Sequence, residues 1–293
     1  MTAPSFHLPT SRLRRIVRPR LLVRLLVAAV AVATVADGFV FERSLSHLLT
    51  GHTVVLMLCA LAFVLTERVV IQQPSESRYV PALRFHWLTP YYDAVVGSTT
   101  RERSFKQALI KQARFGTGQR VLDLGSGTGT LAIWIKQHQP SADVTGVDAD
   151  SAILSFASGK ARKANVSVQF DRALSYSLPY PAAHFDRVVS SLFFHHLSWQ
   201  DKERTAQELF RVLKPGAQLH VADWGRAGNP LMRGLFLFVQ LLDGFANTQD
   251  NVSGKLITLF EQAGFVDVTE QQTFCTVYGT MALYSAVKPP PGI

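Results

Sequence analysis

Two regimes of hydrophobic patterning divide the chain. Between residues 21 and 66 apolar positions run almost without interruption. Residues 25–36 carry no charge inside a mostly apolar 21–41 window, and residues 44–66 contain no Asp, Glu, Lys or Arg. A helix crossing hydrocarbon needs roughly 20 apolar residues. The second stretch meets that length, and the first does if Arg24 snorkels or Asp37 lies at the far interface. Only a few residues around Glu42 and Arg43 join the two, which predicts a pair of antiparallel helices, since a lipid-exposed loop cannot satisfy its own backbone.

From residue 79 onward the pattern alternates short apolar runs with amphipathic stretches. Helices are predicted over 102–115, 130–139, 151–164 and 200–213, and strands over 120–124, 144–147, 166–170, 187–192 and 218–222. Helices alternating with strands predict a parallel sheet covered on both faces. Residues 230–250 form an apolar insertion in which Leu231, Leu235, Phe238, Leu242 and Phe245 recur at helical spacing. This segment is either a helix packed on the sheet or a lid over an apolar substrate pocket.

The resulting organisation is a basic tail (1–20), two apolar helices (21–71), a linker (72–78), an α/β domain (79–288) and a short tail (289–293). Composition sharpens this picture. The chain is 47% apolar and only 17% charged, against roughly 25% charged in an average soluble domain. Of the net charge of +9, +5 lies in the first 78 residues, where nine Arg face Asp37, Glu42, Glu67 and Glu76. The excess is local, so no nucleic-acid partner is expected. By the positive-inside rule the arginines stay cytoplasmic, and two crossings return the α/β domain to that side. Residues 21–66 are therefore expected to meet membrane lipid. An Arg-rich, acid-poor start is also that of a mitochondrial transit peptide, and a helical pair buried against the domain remains a further alternative. Cys59 and Cys275 lie far apart and suggest neither a disulfide framework nor a zinc site. No metal is expected.

The chemistry is announced after the first strand, where Gly125-Ser126-Gly127-Thr128-Gly129 follows Asp123. A ligand lying close against backbone needs residues without Cβ at such a turn, and the N–H groups opening the next helix favour polar or anionic groups. Asp148 ends the second strand, where an acid can accept both hydroxyls of a ribose. A dinucleotide fingerprint would place its third glycine at position 130. That residue is Thr130, and the glycine comes one step early, which argues against a nucleotide-dependent oxidoreductase.

The run from Val121 to Gly129 resembles instead the first motif of class I S-adenosylmethionine-dependent methyltransferases. Val144-Thr145-Gly146-Val147-Asp148-Ala149, Leu178-Pro179-Tyr180 with Phe185-Asp186-Arg187-Val188-Val189, Arg211-Val212-Leu213-Lys214-Pro215-Gly216 and Ala263-Gly264-Phe265 are similar to its later blocks. The subgroup resembled is that of ubiquinone and menaquinone biosynthesis methyltransferases. The resemblance implies a Rossmann-like, doubly wound, mostly parallel seven-stranded sheet and S-adenosyl-L-methionine as cofactor. It also implies a small-molecule acceptor, and an apolar one would suit the expected membrane anchor. Asp123 would lie at the methionine end of the cofactor, with Gly125, Ser126, Gly127 and Gly129 beneath it and Asp148 and Ala149 at the ribose. Many members place an acid five residues before the Leu-Pro proline, at the adenine. Here that position is Leu174, and Asp171 is three residues out of register, so adenine is held by backbone and apolar contact or by Asp171 along another loop path.

Ligands of parallel sheets sit beyond the carboxyl ends of the strands, so the stretch from Ser190 to Leu197 is expected to border the transferred methyl. Its His195 and His196 are candidate proton acceptors, a histidine being suited to proton transfer at neutral pH, or else hydrogen-bonded structural residues. Asp223 and Trp224, after the fifth strand, either line the substrate pocket or merely end the strand. The rival to an enzyme is a non-catalytic module that senses the cofactor or scaffolds a membrane complex.

Overall fold

The computed structural model describes residues 100–290 and 292. The expected basic tail, apolar helices and linker lie outside the described residues. Among the described residues no helix is long and apolar enough to cross a membrane.

The elements run α1 (Glu102–Ala113), β1 (Arg120–Leu124), α2 (Thr130–His138), β2 (Asp143–Asp148), α3 (Ser151–Lys163), β3 (Gln169–Arg172) and β4 (Phe185–Ser191). A 3₁₀ turn (Phe194–His196) leads to α4 (Trp199–Val212) and β5 (Leu213–Trp224). Then come α5 (Pro230–Asp243), α6 (Phe245–Val252), α7 (Leu256–Gln262), β6 (Val266–Thr276) and β7 (Gly279–Val287). The seven strands form one sheet in the order β3-β2-β1-β4-β5-β7-β6. β1 to β5 pair in parallel, and β7 runs antiparallel between β5 and β6. The expected Rossmann-like, mostly parallel seven-stranded sheet is the observed one.

Alternation along the central strands explains the two-sided core. In β1, Leu122 and Leu124 point to one face and join Val188, Leu219, Leu209 and Phe260. Val121 points to the other and joins Val189, Phe105, Leu109 and Phe236. A strand buried on both faces reads as a continuous apolar run, which is why the sequence exposed β1 so clearly. Side chains start several helices. Asp150 accepts from the Ala152 and Ile153 N–H groups at α3, Ser198 from Asp201 N–H at α4, and Asn229 from Met232 N–H ahead of Pro230 at α5. Each satisfies backbone donors a helix start leaves open.

Two expectations are corrected. The third strand begins at Gln169, not at 166. Val166 N–H bonds the Ala161 carbonyl and Asn165, at φ 54°, bonds that of Arg162, a left-handed close that spends Val166 on the end of α3. The insertion is two helices, broken at Gly244 (φ 95°, ψ 137°). Its buried positions in α5 are Met232, Phe236, Val239 and Gln240, whereas Leu231 and Phe245 of the expected stripe are exposed. A helix apolar on nearly every side has no face that periodicity can single out.

Candidate active site

The sheet order reverses between β1 and β4, and the loops after β1, β2 and β4 open on the same edge. Open α/β sheets bind ligands at such a switch point. The glycine loop leaves β1 there. Gly125, Gly127 and Gly129 all have positive φ (67°, 51° and 75°), but they are glycine for different reasons. A Cβ on Gly125 would lie 2.2 Å from the Phe193 ring, and one on Gly129 2.8 Å from that of Phe170. These two let aromatic side chains from neighbouring segments cross the loop. A Cβ on Gly127 would meet only Ile153 Cδ1, at 3.9 Å, so its open side is available to a ligand.

Asp148 is tied to this loop. Its Oδ2 accepts the Gly127 N–H at 3.0 Å and its Oδ1 the Asp150 N–H at 3.0 Å. The sequence reading gave this acid to a ribose and missed its hold on the loop. A carboxylate has roughly four acceptor positions, so the two roles are compatible. Ala149 lies beside it and its carbonyl accepts from Arg172 Nε at 3.1 Å. Leu174 is exposed in the loop after β3. Asp171, the alternative for adenine, is engaged by the Tyr180 hydroxyl (2.6 Å) and by Gln169 Nε2 (2.8 Å).

Asp123 is buried at the end of β1. Its Oδ2 accepts the Ala132 N–H at 3.1 Å, while Oδ1 is buried without a partner, as is the Ser126 hydroxyl. Burial pushes the Asp123 carboxyl up to about 7, against the pull of nearby Lys106 and the Ala132 hydrogen bond. A buried carboxylate oxygen with no donor is costly, and a cationic group placed there would satisfy it. The open side of Gly127 and the unsatisfied Asp123 oxygen thus fit the cofactor that the motif implies, whose methionine end carries an ammonium group.

A second cluster stands at the ends of β4 and β5. His195 Nδ1 lies 2.7 Å from Asp223 Oδ1, and Asp223 also accepts the N–H groups of Phe193 (3.1 Å) and Trp224 (2.7 Å). Asp223 therefore neither merely ends its strand nor faces solvent. It orients His195. Burial disfavours the charged imidazole, but the adjoining Asp223 carboxylate outweighs it and holds the His195 pKa above its ordinary value. Burial, then the neighbouring His195, pushes His196 well below its own. Trp224 packs in the core against Phe236, with ring centroids 5.3 Å apart.

The structure adds residues that sequence reasoning missed. Asp243, at the end of α5, brings Oδ2 to 3.7 Å from His195 Nε2. A lone acid closing an apolar run was the signal available for it. Lys202, fully buried on α4, donates to the Asn247 carbonyl at 2.5 Å, and Asn247 Nδ2 donates to the His196 carbonyl at 3.2 Å. The insertion is thereby fastened to the histidine turn. One ligand atom each of His195, His196 and Asp243 lies within 4.8 Å of the others. This spacing could hold a metal ion, where the sequence had suggested none.

The sheet order, the glycine loop after β1 and the acid after β2 define a class I methyltransferase architecture. A family model described as a methyltransferase domain matches residues 121–216. A demethylmenaquinone methyltransferase of Thermus thermophilus is 32% identical over 142 residues, 48% of this chain and 64% of that protein. The chain thus spans less than two thirds of that relative. A ubiquinone/menaquinone biosynthesis C-methyltransferase (UbiE) of Ectopseudomonas mendocina is 30% identical over 179 residues, 59% of this chain and 67% of that protein. Among solved structures, a putative O-methyltransferase of Nostoc punctiforme shares the fold, with a TM-score of 0.61 at 18% identity over 79% of this chain and 69% of that one. The chain belongs to the class I S-adenosylmethionine-dependent methyltransferases, in the UbiE-like subgroup, whose cofactor is S-adenosyl-L-methionine.

Proposed function

We propose that this protein transfers a methyl group from S-adenosylmethionine to a small apolar acceptor of the quinone-precursor kind at a membrane surface. The observation that carries the reading is the meeting, on one sheet edge, of a cofactor cradle and a buried His195–Asp223 pair. In the cradle, Asp123 Oδ1 would take the cofactor's ammonium group and the backbone at Gly125, Ser126, Gly127 and Gly129 would lie along it. Asp148 and Ala149 would hold the ribose, and exposed Leu174 would give adenine an apolar contact. When bound, the cofactor supplies a methyl on a sulfonium, an activated leaving group.

The chain's own part is to align the acceptor and take its proton. With Nδ1 directed at Asp223, His195 keeps Nε2 as the nitrogen that accepts. The 3.7 Å between Nε2 and Asp243 is too long for a hydrogen bond, and an acceptor hydroxyl set to one side of the pair can lie within hydrogen-bond distance of both. His196, held neutral by burial, would border the same space. A positioned base contributes roughly 10²–10⁴-fold, and in-line alignment can supply up to about 7–11 kcal/mol. Residues 21–66 would anchor the chain in the membrane, with the catalytic domain on the cytoplasmic side. Relatives named for menaquinone and ubiquinone biosynthesis support the acceptor class.

The test is methyl transfer to demethylated quinone precursors, followed by mass spectrometry of the extracted product. The expected result is formation of a methylated quinol together with S-adenosylhomocysteine. Tight binding of S-adenosylhomocysteine with no turnover on any such acceptor would overturn the enzymatic reading in favour of a sensor.

A further inference from the structure

The helix that brings Asp243 to His195 has a second face with no counterpart in the chemistry of the site. α5 is apolar nearly all round, and of its polar side chains Gln240 is buried while Arg233 and Asp243 are half-buried. Arg233 Nη1 donates to Gln240 Oε1 at 2.8 Å, Gln240 Nε2 donates to Gln249 Oε1 at 3.1 Å, and Gln240 is fully buried. The outward face carries Leu231, 67% exposed, and Leu237, 44% exposed, with Gly234 between them. A surface helix in water shows the reverse arrangement, polar outward and apolar inward.

The patch extends beyond the helix. Phe238 stacks on Tyr278 at 5.5 Å, next to Val277 at the tip of the β6–β7 hairpin, which is 49% exposed. Phe245, opening α6, is 48% exposed. The single acid of α5, Asp243, faces His195, and exposed Arg226 precedes the helix. The face is thus apolar, free of acids and bordered by a base, which complements an anionic lipid headgroup region.

We infer that the outer face of α5, with the adjoining hairpin tip, docks on the surface of a lipid bilayer. The inference rests on the proposed membrane anchorage and deepens it. The same chain carries 23 residues (44–66) without a charge, about 35 Å as a helix, close to a hydrocarbon core of roughly 30 Å. Covering α5, with its 14 residues, would take only about 21 Å of helix. The length therefore fits lipid better than it fits a cover for α5. Docking in this way places lipid on one side of α5 and His195 on the other. An apolar acceptor then reaches the site from the bilayer without crossing water.

The test uses the 293-residue chain in anionic phospholipid vesicles. Nitroxide labels are placed by Leu231→Cys, Leu237→Cys or, as a control on the far edge of the sheet, Lys163→Cys, each in a Cys59→Ala, Cys275→Ala background. Collision with oxygen is compared with collision with a water-soluble nickel chelate. The expected result is oxygen access with nickel shielding at 231 and 237, and nickel access at 163. Nickel access at 231 and 237 on floated vesicles would overturn the docking, as would failure of the chain to float. Shielding from both probes would mean a cover supplied by residues 21–66, and shielding lost on dilution would mean a second copy; either overturns it. Turnover is read separately with a detergent-dispersed acceptor, so a dead enzyme with the expected label pattern would sink the enzymatic reading alone.

Discussion

Alanine at Gly125 and at Gly127 should fail in opposite ways, because the two residues are glycine for different physical reasons. Both have positive φ, where a Cβ costs about 1–2 kcal/mol. At Gly125 the new Cβ would also lie 2.2 Å from Phe193 Cδ2 and within 2.9 Å of that residue's Cβ. The ring cannot swing clear by its far end alone, so the exit of β4 must shift, an overpacking penalty of about 1–3 kcal/mol. The total of roughly 2–5 kcal/mol is a large share of a domain's ordinary stability of roughly 5–15 kcal/mol. For a domain of this size each kcal/mol moves the melting point by about 2–4 °C. Gly125→Ala should therefore lower Tm by roughly 4–20 °C. Gly127→Ala meets nothing closer than 3.9 Å and should lower Tm by only about 2–8 °C, while its methyl stands where the cofactor approaches. Thermal unfolding of the detergent-solubilised chain, with and without S-adenosylhomocysteine, separates the two. Ligand should still raise Tm in Gly125→Ala and should not in Gly127→Ala. A Gly127→Ala variant that binds like wild type, or a Gly125→Ala variant as stable as Gly127→Ala, would refute the assignment of the two glycines.

Three further outcomes are expected. Asp123, at about 7 when folded against 3.8 ordinarily, favours the protonated folded state, so the unliganded protein should lose stability as pH rises from about 4 through 7, by roughly 4 kcal/mol in all. S-adenosylmethionine needs the ionised form and should bind more tightly over the upper part of that range; calorimetry showing no pH dependence, or the same dependence in Asp123→Asn, would contradict this. His220 accepts from Gln112 at 3.1 Å, has a buried Nε2 without a partner and is held at about 4 by burial. Because its folded pKa lies below the ordinary 6.5, stability should fall by about 3 kcal/mol as pH drops from 6.5 to 4, and His220→Leu should flatten that limb in melting curves relative to wild type. Finally, His195→Ala should lower kcat by roughly 10²–10⁴-fold with unchanged cofactor affinity. Asp223→Asn should do so less severely, because an amide oxygen at the Oδ1 position still accepts from His195 Nδ1 and the Trp224 N–H, and only the Phe193 N–H loses its acceptor; near-wild-type turnover in His195→Ala would remove it from proton transfer.

The alternation of apolar runs and amphipathic stretches was enough to place β1, β2, α2 and α3 within a residue or two, because strands buried on both faces and capped helices write their periods locally. The glycine loop, Asp123 and Asp148 were legible for the same reason, since a tight backbone turn after a strand demands particular residues in consecutive positions. Asp148 as a tether of the loop was less visible, for its partner Gly127 lies 21 residues away.

The histidine turn marks the boundary of what the chain determines alone. His195 stood out, but its partners come from β5 and α5, 28 and 48 positions on, and only the sheet order brings Asp223 and Asp243 to it. The inward face of α5 was decided in the same way. With leucine and phenylalanine on nearly every side, local sequence left its rotation open, and packing of Met232, Phe236 and Val239 together with the Gln240 hydrogen bonds chose it. Local backbone chemistry is written in neighbouring residues, whereas which distant side chains meet depends on long-range packing that no short window of sequence contains.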